Sequence, residues 1–279
     1  AHEPLLSKNF STPCRGKQLA HLFNKVEQCK LAAQCGLAVP LSIVYEKGAP
    51  FPKNKVTYPF IIKPLISSAG EKSDIHICKN EGDLPIAFQQ NSHCSQFLIQ
   101  QFIDKEYEIN ILGASTDRGV VLGGGIHKIR HWPPVIGAAS FGIFKKVTEF
   151  NINVDGIEEF IKESNYHGPF SIELLHATDG NNYFMEMNFR NDGLAYVATC
   201  AGANLHALYL NSSYSIDWNK FRPTYMMNYS IDFLYVKKKK ITFWRWINDC
   251  LKTRCFINLC FSDLAPLIAY YKLKLSRKK

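Results

Sequence analysis

Two neighbouring stretches of the chain, Gly168-Pro-Phe-Ser-Ile-Glu173 and Tyr183-Phe-Met-Glu186-Met-Asn188-Phe-Arg190, alternate between apolar and polar residues. That is the period of two that a strand imposes. Thr178-Asp179-Gly180-Asn181-Asn182 lies between them and supplies strong turn chemistry, so the pair reads as a hairpin. The alternation puts Glu186, Asn188 and Arg190 on one face and Met185, Met187 and Phe189 on the other. Glu173 can face the polar set from the neighbouring strand.

Lys17 to Gly36 repeats apolar residues at threes and fours, which predicts a helix stopped by Gly36. Val39–Tyr45 reads as a short strand with Pro40 near its start, and Tyr58–Pro64 as a second. Ile66–Ser73 is a loop of small residues, Asp74–Cys78 a strand, and Glu81–Gln90 a short helix. Phe97–Ile103 and Glu106–Leu112 are strands joined by a tight Asp104-Lys105 connection. Val120–Arg130 and Phe141–Val147 are further strands, separated by His131-Trp-Pro-Pro. Val154–Ser164 and Ala195–Leu210 read as helices, the second packing behind the last strand. The mixture predicts an α+β fold with mainly antiparallel sheets.

At 279 residues the chain can bury a sizeable core in one large domain or several small ones. No segment has the uncharged apolar length of a spanning helix, and no secretory signal opens the chain. The first residue is Ala rather than Met, which points to a processed or trimmed product. Nine cysteines at irregular spacings suit the reduced thiols of a cytoplasmic protein better than a disulfide framework or a zinc site. The net charge of +9 is concentrated: Phe233–Lys279 carries twelve Lys/Arg against Asp249 and Asp263, while the preceding residues sum to −1. The basic balance therefore describes the tail and says nothing about a catalytic centre.

Glu173, Glu186 and Asn188 would form a hard, all-oxygen donor set beside the guanidinium of Arg190. Magnesium favours such donors and needs only one or two carboxylates alongside substrate phosphates. The plainer alternative is a solvated sheet face that happens to be polar. A wider order decides between them: a helix with Lys25, a strand ending Lys63-Pro64, a small-residue loop, Gln100-Gln-Phe-Ile103, Glu106, then Glu173…Glu186-x-Asn188-x-Arg190. Over about residues 20 to 210 this resembles the ATP-grasp superfamily of carboxylate–amine ligases, including its D-aspartate-ligase-like and carbamoyl-phosphate-synthase-like members.

The resemblance implies an ATP-grasp α+β fold, two subdomains clasping ATP, with a lid subdomain at 40–98 and a catalytic subdomain at 99–232. Residues 1–39 would be the remnant of a preceding domain, and 233–279 a basic amphipathic helical tail. It implies phosphate-binding lysines at Lys25 and Lys63, although Asn24-Lys25 stands where relatives often have Asp-Lys. It implies a lid loop at Ser67, Ser68 and Gly70, and an adenine hinge at Gln100, Gln101, Phe102 and Ile103. Glu106 would accept the ribose hydroxyls, with Glu108 as the alternative. Glu173, Glu186 and Asn188 would hold Mg2+, with Mn2+ as a second choice. Arg190, Arg130 and Lys128 would steady the transferred phosphoryl or the carboxylate substrate, and Trp132–Ser140 would be a substrate-side loop. The implied activity is an ADP-forming ligation of a small-molecule carboxylate to an amine through an acyl phosphate, with no nucleic-acid partner. Two rivals are a nucleotide-binding protein without turnover and a peripheral membrane module.

The tail itself leaves two readings open. Phe243, Trp244, Trp246, Ile247 and Leu251 beside flanking lysines have the composition of a helix lying in an anionic membrane surface. Alternatively, the helix packs on the catalytic subdomain with its lysines in water. The first reading would place a cytoplasmic protein at the inner face of the membrane and make envelope or polysaccharide precursors plausible acceptors.

Overall fold

The computed structural model describes residues 21–65, 75–134, 137–257, 259 and 263–276. Helix α1 (Lys25–Gln34) is capped by Asn24, whose side chain accepts from the Val26 N–H. Gly36, at φ 77°, ends the helical run in the left-handed conformation. Strands β1 (Ser42–Glu46), β2 (Phe60–Pro64), β3 (His76–Cys78) and β4 (Gln96–Gln101) form an antiparallel sheet in the order β1-β4-β2-β3. Helix α2 (Leu84–Gln90) covers one face of this sheet, enclosing Tyr45, Phe60, Ile62, Phe97 and Ile99. The other face carries Ser42, Ile61, Lys63, Leu98 and Gln100 by strand alternation.

The larger sheet has seven strands, and its first five follow the chain: β5 (Lys105–Thr116), β6 (Gly119–Trp132), β7 (Ala138–Lys145), β8 (Gly168–Ala177) and β9 (Asn182–Asn188). Short strands β10 (Thr224–Met227) and β11 (Thr253–Phe256) complete the order β11-β10-β7-β6-β5-β8-β9. Its pairings are antiparallel except β10 with β11, which run parallel. A parallel pair needs a crossover, supplied here by helices α6 (Tyr229–Lys237) and α7 (Phe243–Lys252). Helix α8 (Ala265–Ser276) follows. The proximal part of the basic tail is thus woven into the sheet, as the packing alternative requires.

Helices α1 and α3 (Val154–Glu163) bury one face of the large sheet, packing Cys29, Ala32, Ile157 and Phe160 on Ile109, Ile172, Leu174 and Met187. The opposite face is covered at one end by α4 (Tyr196–Ala201) and α5 (Leu205–Leu210), which meet Leu112, Ile126 and Met226. The single helix expected over Ala195–Leu210 is therefore two, broken at Gly202 with φ 99°. These helices share the face of Glu173 instead of backing its strand; α1 and α3 do the backing. That leaves the other end of the face open, and there the polar residues gather.

Candidate active site

The β8–β9 register sets Glu173 directly opposite Glu186 and Ser171 opposite Asn188. Directly paired residues in an antiparallel ladder share a face, so two carboxylates and an amide stand together as the alternation predicts. Asn188 donates its side-chain N–H to Ser171 Oγ at 3.2 Å. Ser171 Oγ in turn donates to Asp192 Oδ2 at 2.8 Å. On β5, Asn110 lies across from Glu173 and is fully buried, yet its Oδ1 has no hydrogen-bond partner. An unpaired buried acceptor beside two carboxylates favours a cationic or hydrated guest.

Lysines from two elements meet this pair, and a third lies buried in the small sheet. Lys25 Nζ lies 3.2 Å from Glu186 Oε2. It is placed there because α1 runs along the free edge of β9. One turn on from Lys25, buried Gln28 accepts the Met187 N–H at 2.7 Å and donates to the Met187 carbonyl at 3.3 Å. A side-chain amide so completes the ladder where the sheet ends. Lys128 Nζ sits 3.0 Å from Glu108 Oε2 and 3.5 Å from Glu173 Oε2. Burial disfavours its charge, but Glu173 and Glu108 outweigh that and hold its pKa above the ordinary range. Burial likewise acts to raise the pKa of Glu108, and is outweighed by the His131 imidazole 3.4 Å away and the charges of Lys128 and Lys105, leaving it well below the usual carboxylate range.

Lys63 comes from the small sheet. It is buried, and its ammonium donates to Gln100 Oε1 at 2.8 Å, while Gln100 Nε2 donates to Ser42 Oγ at 3.0 Å. Burial and the positive charge of Lys25 push its pKa down to about 8, against the pull of Glu186, Cys29 and Glu173. Lys63 is therefore a cation short of negative charge, and an incoming phosphate would supply it.

The hinge residues divide by role. The Gln101 N–H donates to the Leu41 carbonyl at 2.8 Å, and Leu41 N–H donates to Gln101 Oε1 at 3.2 Å. Gln100 positions Lys63 through its side chain. Phe102 and Ile103 run between the two sheets outside either ladder. Arg190 is exposed and reaches Asn188 Oδ1 at 3.4 Å and the Asn191 carbonyl at 3.2 Å. Ser67, Ser68 and Gly70 lie outside the described residues.

Two expected positions fall elsewhere. Glu106 is exposed and sits at an irregularity where Lys105 pairs with Ala177 and Tyr107 with His176. That bulge breaks the alternation, and it is Glu108 that joins Lys128 in the cluster. Arg130 is displaced by a second bulge: Lys128 pairs with Gly142 and Arg130 with Phe141, so two steps on β6 match one on β7. Arg130 consequently leaves the face of Lys128 and is locked in the tail. It donates to both Asp232 oxygens at 2.9 and 2.7 Å and to Asp249 Oδ2 at 2.7 Å, with its guanidinium 4.3 Å over the Phe141 ring. Ser140 Oγ adds a 2.7 Å bond to Asp232. Its donors and its stacking face serve structure, which removes it from the catalytic set. Gln28, Ser42, Asn110 and His131 are not marked out by their residue types; each matters through a register or a packing that the sequence does not print.

The donor set suits a hard divalent cation. Glu173 and Glu186 remain about one-quarter exposed, and their oxygens with Asn188 Oδ1 match magnesium's preference. Among the described residues no three His, Cys, Asp or Glu side chains cluster, so further coordination would fall to phosphate and water, as is usual for this ion.

A small antiparallel sheet and a large one, with lysines beside an all-oxygen carboxylate pair, are arranged as in the ATP-grasp fold. The chain has that fold. No protein-family model matches it. Two curated proteins are similar over part of its length, both formate-dependent phosphoribosylglycinamide formyltransferases. That of a Nitratiruptor species is 37% identical over 68 residues, 23% of this chain and 17% of the relative. That of Francisella tularensis subsp. novicida is 32% identical over 121 residues, 37% of this chain and 31% of the relative. The chain thus matches less than a third of either relative. Among solved structures, N5-carboxyaminoimidazole synthetase from Staphylococcus aureus complexed with ADP superposes with a TM-score of 0.65 at 16% identity, over 85% of this chain and 65% of that one. Identity this low speaks for the fold alone.

Proposed function

We propose that this chain is the nucleotide-binding and catalytic core of an ATP-dependent carboxylate–amine ligase. The observation that carries the reading is the meeting of Lys25 and Lys128 with the Glu173–Glu186 pair at 3.2 and 3.5 Å, beside the buried Lys63 held by Gln100. Cations for a polyphosphate and oxygens for its counter-ion are the two parts that phosphoryl transfer requires side by side. In the first step a substrate carboxylate oxygen attacks the γ-phosphorus of ATP. The bond to the bridging oxygen breaks, and ADP leaves an acyl phosphate. An amine nitrogen then attacks the acyl carbon, inorganic phosphate departs, and the nitrogen loses its proton.

Lys63 and Lys25 bind and orient the phosphates, and Lys128, kept protonated by its two carboxylates, presents a fixed charge to the transferred group. Arg190, exposed at the rim, is suited to grip a carboxylate with its planar fork. Glu173, Glu186 and Asn188 would hold magnesium, which when bound offsets charge on the phosphates. The likeness to an ADP-complexed fold neighbour supports ATP as the nucleotide. A finer assignment, ligation during envelope or polysaccharide precursor assembly, is supported only by the cationic tail.

The test is the variant Glu186→Gln. Carboxylate-dependent ADP release should fall at least about a hundredfold, with an unchanged melting temperature because the Lys25 pair it loses is partly exposed. Undiminished turnover refutes the assignment. ATP binding without ADP release across a wide panel of carboxylate–amine pairs would instead identify a nucleotide-binding protein.

A further inference from the structure

We propose that the outward face of α7, together with the Lys237–Lys240 turn, is a docking surface for an anionic lipid bilayer. This goes beyond the ligase reading and does not depend on it. The first observation is how the fold sorts charge. From Lys237 to Arg254 the chain has seven basic residues, and all seven are exposed. The single acid in that span, Asp249, is buried and held by Arg130 at 2.7 Å. Folding therefore turns a mixed sequence into a surface of one sign.

The second observation is which apolar residues α7 leaves outside. Its inner side does the packing: Trp246 lies 5.0 Å from the Phe233 ring, Cys250 Sγ is 3.6 Å from Met227 Sδ, and Asp249 grips Arg130. Trp244 and Leu251, seven residues apart and so on one side of the helix, are 78% and 82% exposed, and Phe243 is 47% exposed. Arg245 and Lys252 flank them, and the lysine turn immediately precedes the helix. The Trp244 indole meets the neighbouring Phe243 ring at 5.7 Å, and both it and Leu251 stay turned outward.

A bilayer rich in acidic lipid satisfies both features at once. Its headgroups complement the lysines, and the boundary with the acyl chains takes the indole, phenyl and isobutyl groups of a helix lying in the plane. A nucleic acid would answer the charge but offer Leu251 nothing.

The experiment is flotation of the full chain with vesicles of phosphatidylcholine alone or mixed with phosphatidylserine. The chain should float only with the mixed vesicles, and less as salt rises. The pair W244S/L251S and the triple K238Q/K239Q/K240Q should each lower partitioning at least about tenfold. All five side chains are exposed, and an unchanged melting temperature confirms an intact fold. Absence of flotation with the mixed vesicles overturns the proposal, as does equal flotation of wild type and both variants. A dimer that W244S/L251S dissolves would overturn it too, by showing that a second copy covers this face. Binding lost only on lysine substitution, and competed fully by single-stranded nucleic acid, would mark a polyanion site instead.

Discussion

At the level of single side chains, Lys63 combines a buried ammonium with a neutral acceptor, Gln100, and with a nearby like charge on Lys25. Its pKa in the folded protein, about 8, lies below the ordinary 10.5. Below about 8 the folded and unfolded chains both carry the proton, and the folded state bears the full penalty of the buried charge. Between 8 and 10.5 the folded state has shed its proton and the penalty shrinks, so the contribution of Lys63 to stability improves as pH rises. Phosphate binding runs the other way, because it needs the cation. ADP affinity, measured by titration calorimetry, should fall as pH rises through about 8 and be accompanied by proton uptake. Lys63→Met should lose that dependence and weaken binding about 10- to 100-fold. A pH dependence that persists in the methionine variant would assign it to another group.

At the level of elements, α1 matters less as a helix than as the closure of a sheet edge. Gln28→Ala would leave the buried Met187 N–H unsatisfied, at a cost of about 1–3 kcal/mol, readable as a lower midpoint in urea. Gln28→Glu should recover part of it by still accepting that N–H. What the sequence shows and what it hides divide along the same line. The hairpin carrying Glu173, Glu186 and Asn188 is legible because the alternation from Glu186 onward and a strong turn fix which residues share a face, the ladder slipping only before it, at Met185. The bulges beside Glu106 and at Ile129 are not, since one extra residue in a strand leaves no trace in composition. They account for the exchange of Glu106 for Glu108 and for the departure of Arg130 from the site. Over Ala195–Leu210 the apolar spacing runs on unbroken and conceals the stop that Gly202 makes. Lys237–Lys240 are solvated, as a lysine run suggests, whereas Asp249, one of the two acids of the basic tail, is buried.

For the whole molecule, the tail is structural as far as β11. Cutting the chain after Asp232 removes α7, β11 and Asp249, uncovers the outer edge of β10 and strips Arg130 of one carboxylate. Breaking a buried ionic cluster typically costs about 3–5 kcal/mol. The shortened chain should therefore unfold at markedly lower urea concentration than the full one. A midpoint equal to that of the full chain would show that the tail is dispensable to the fold. No helix among the described residues is long and apolar enough to cross a membrane.

The four-stranded unit enters at Leu41 and leaves at Gln101, and these two residues hydrogen-bond to each other in both directions. Such a joint sets entry and exit of the unit side by side, so the strand bearing Lys63 starts from one fixed origin beside the larger half.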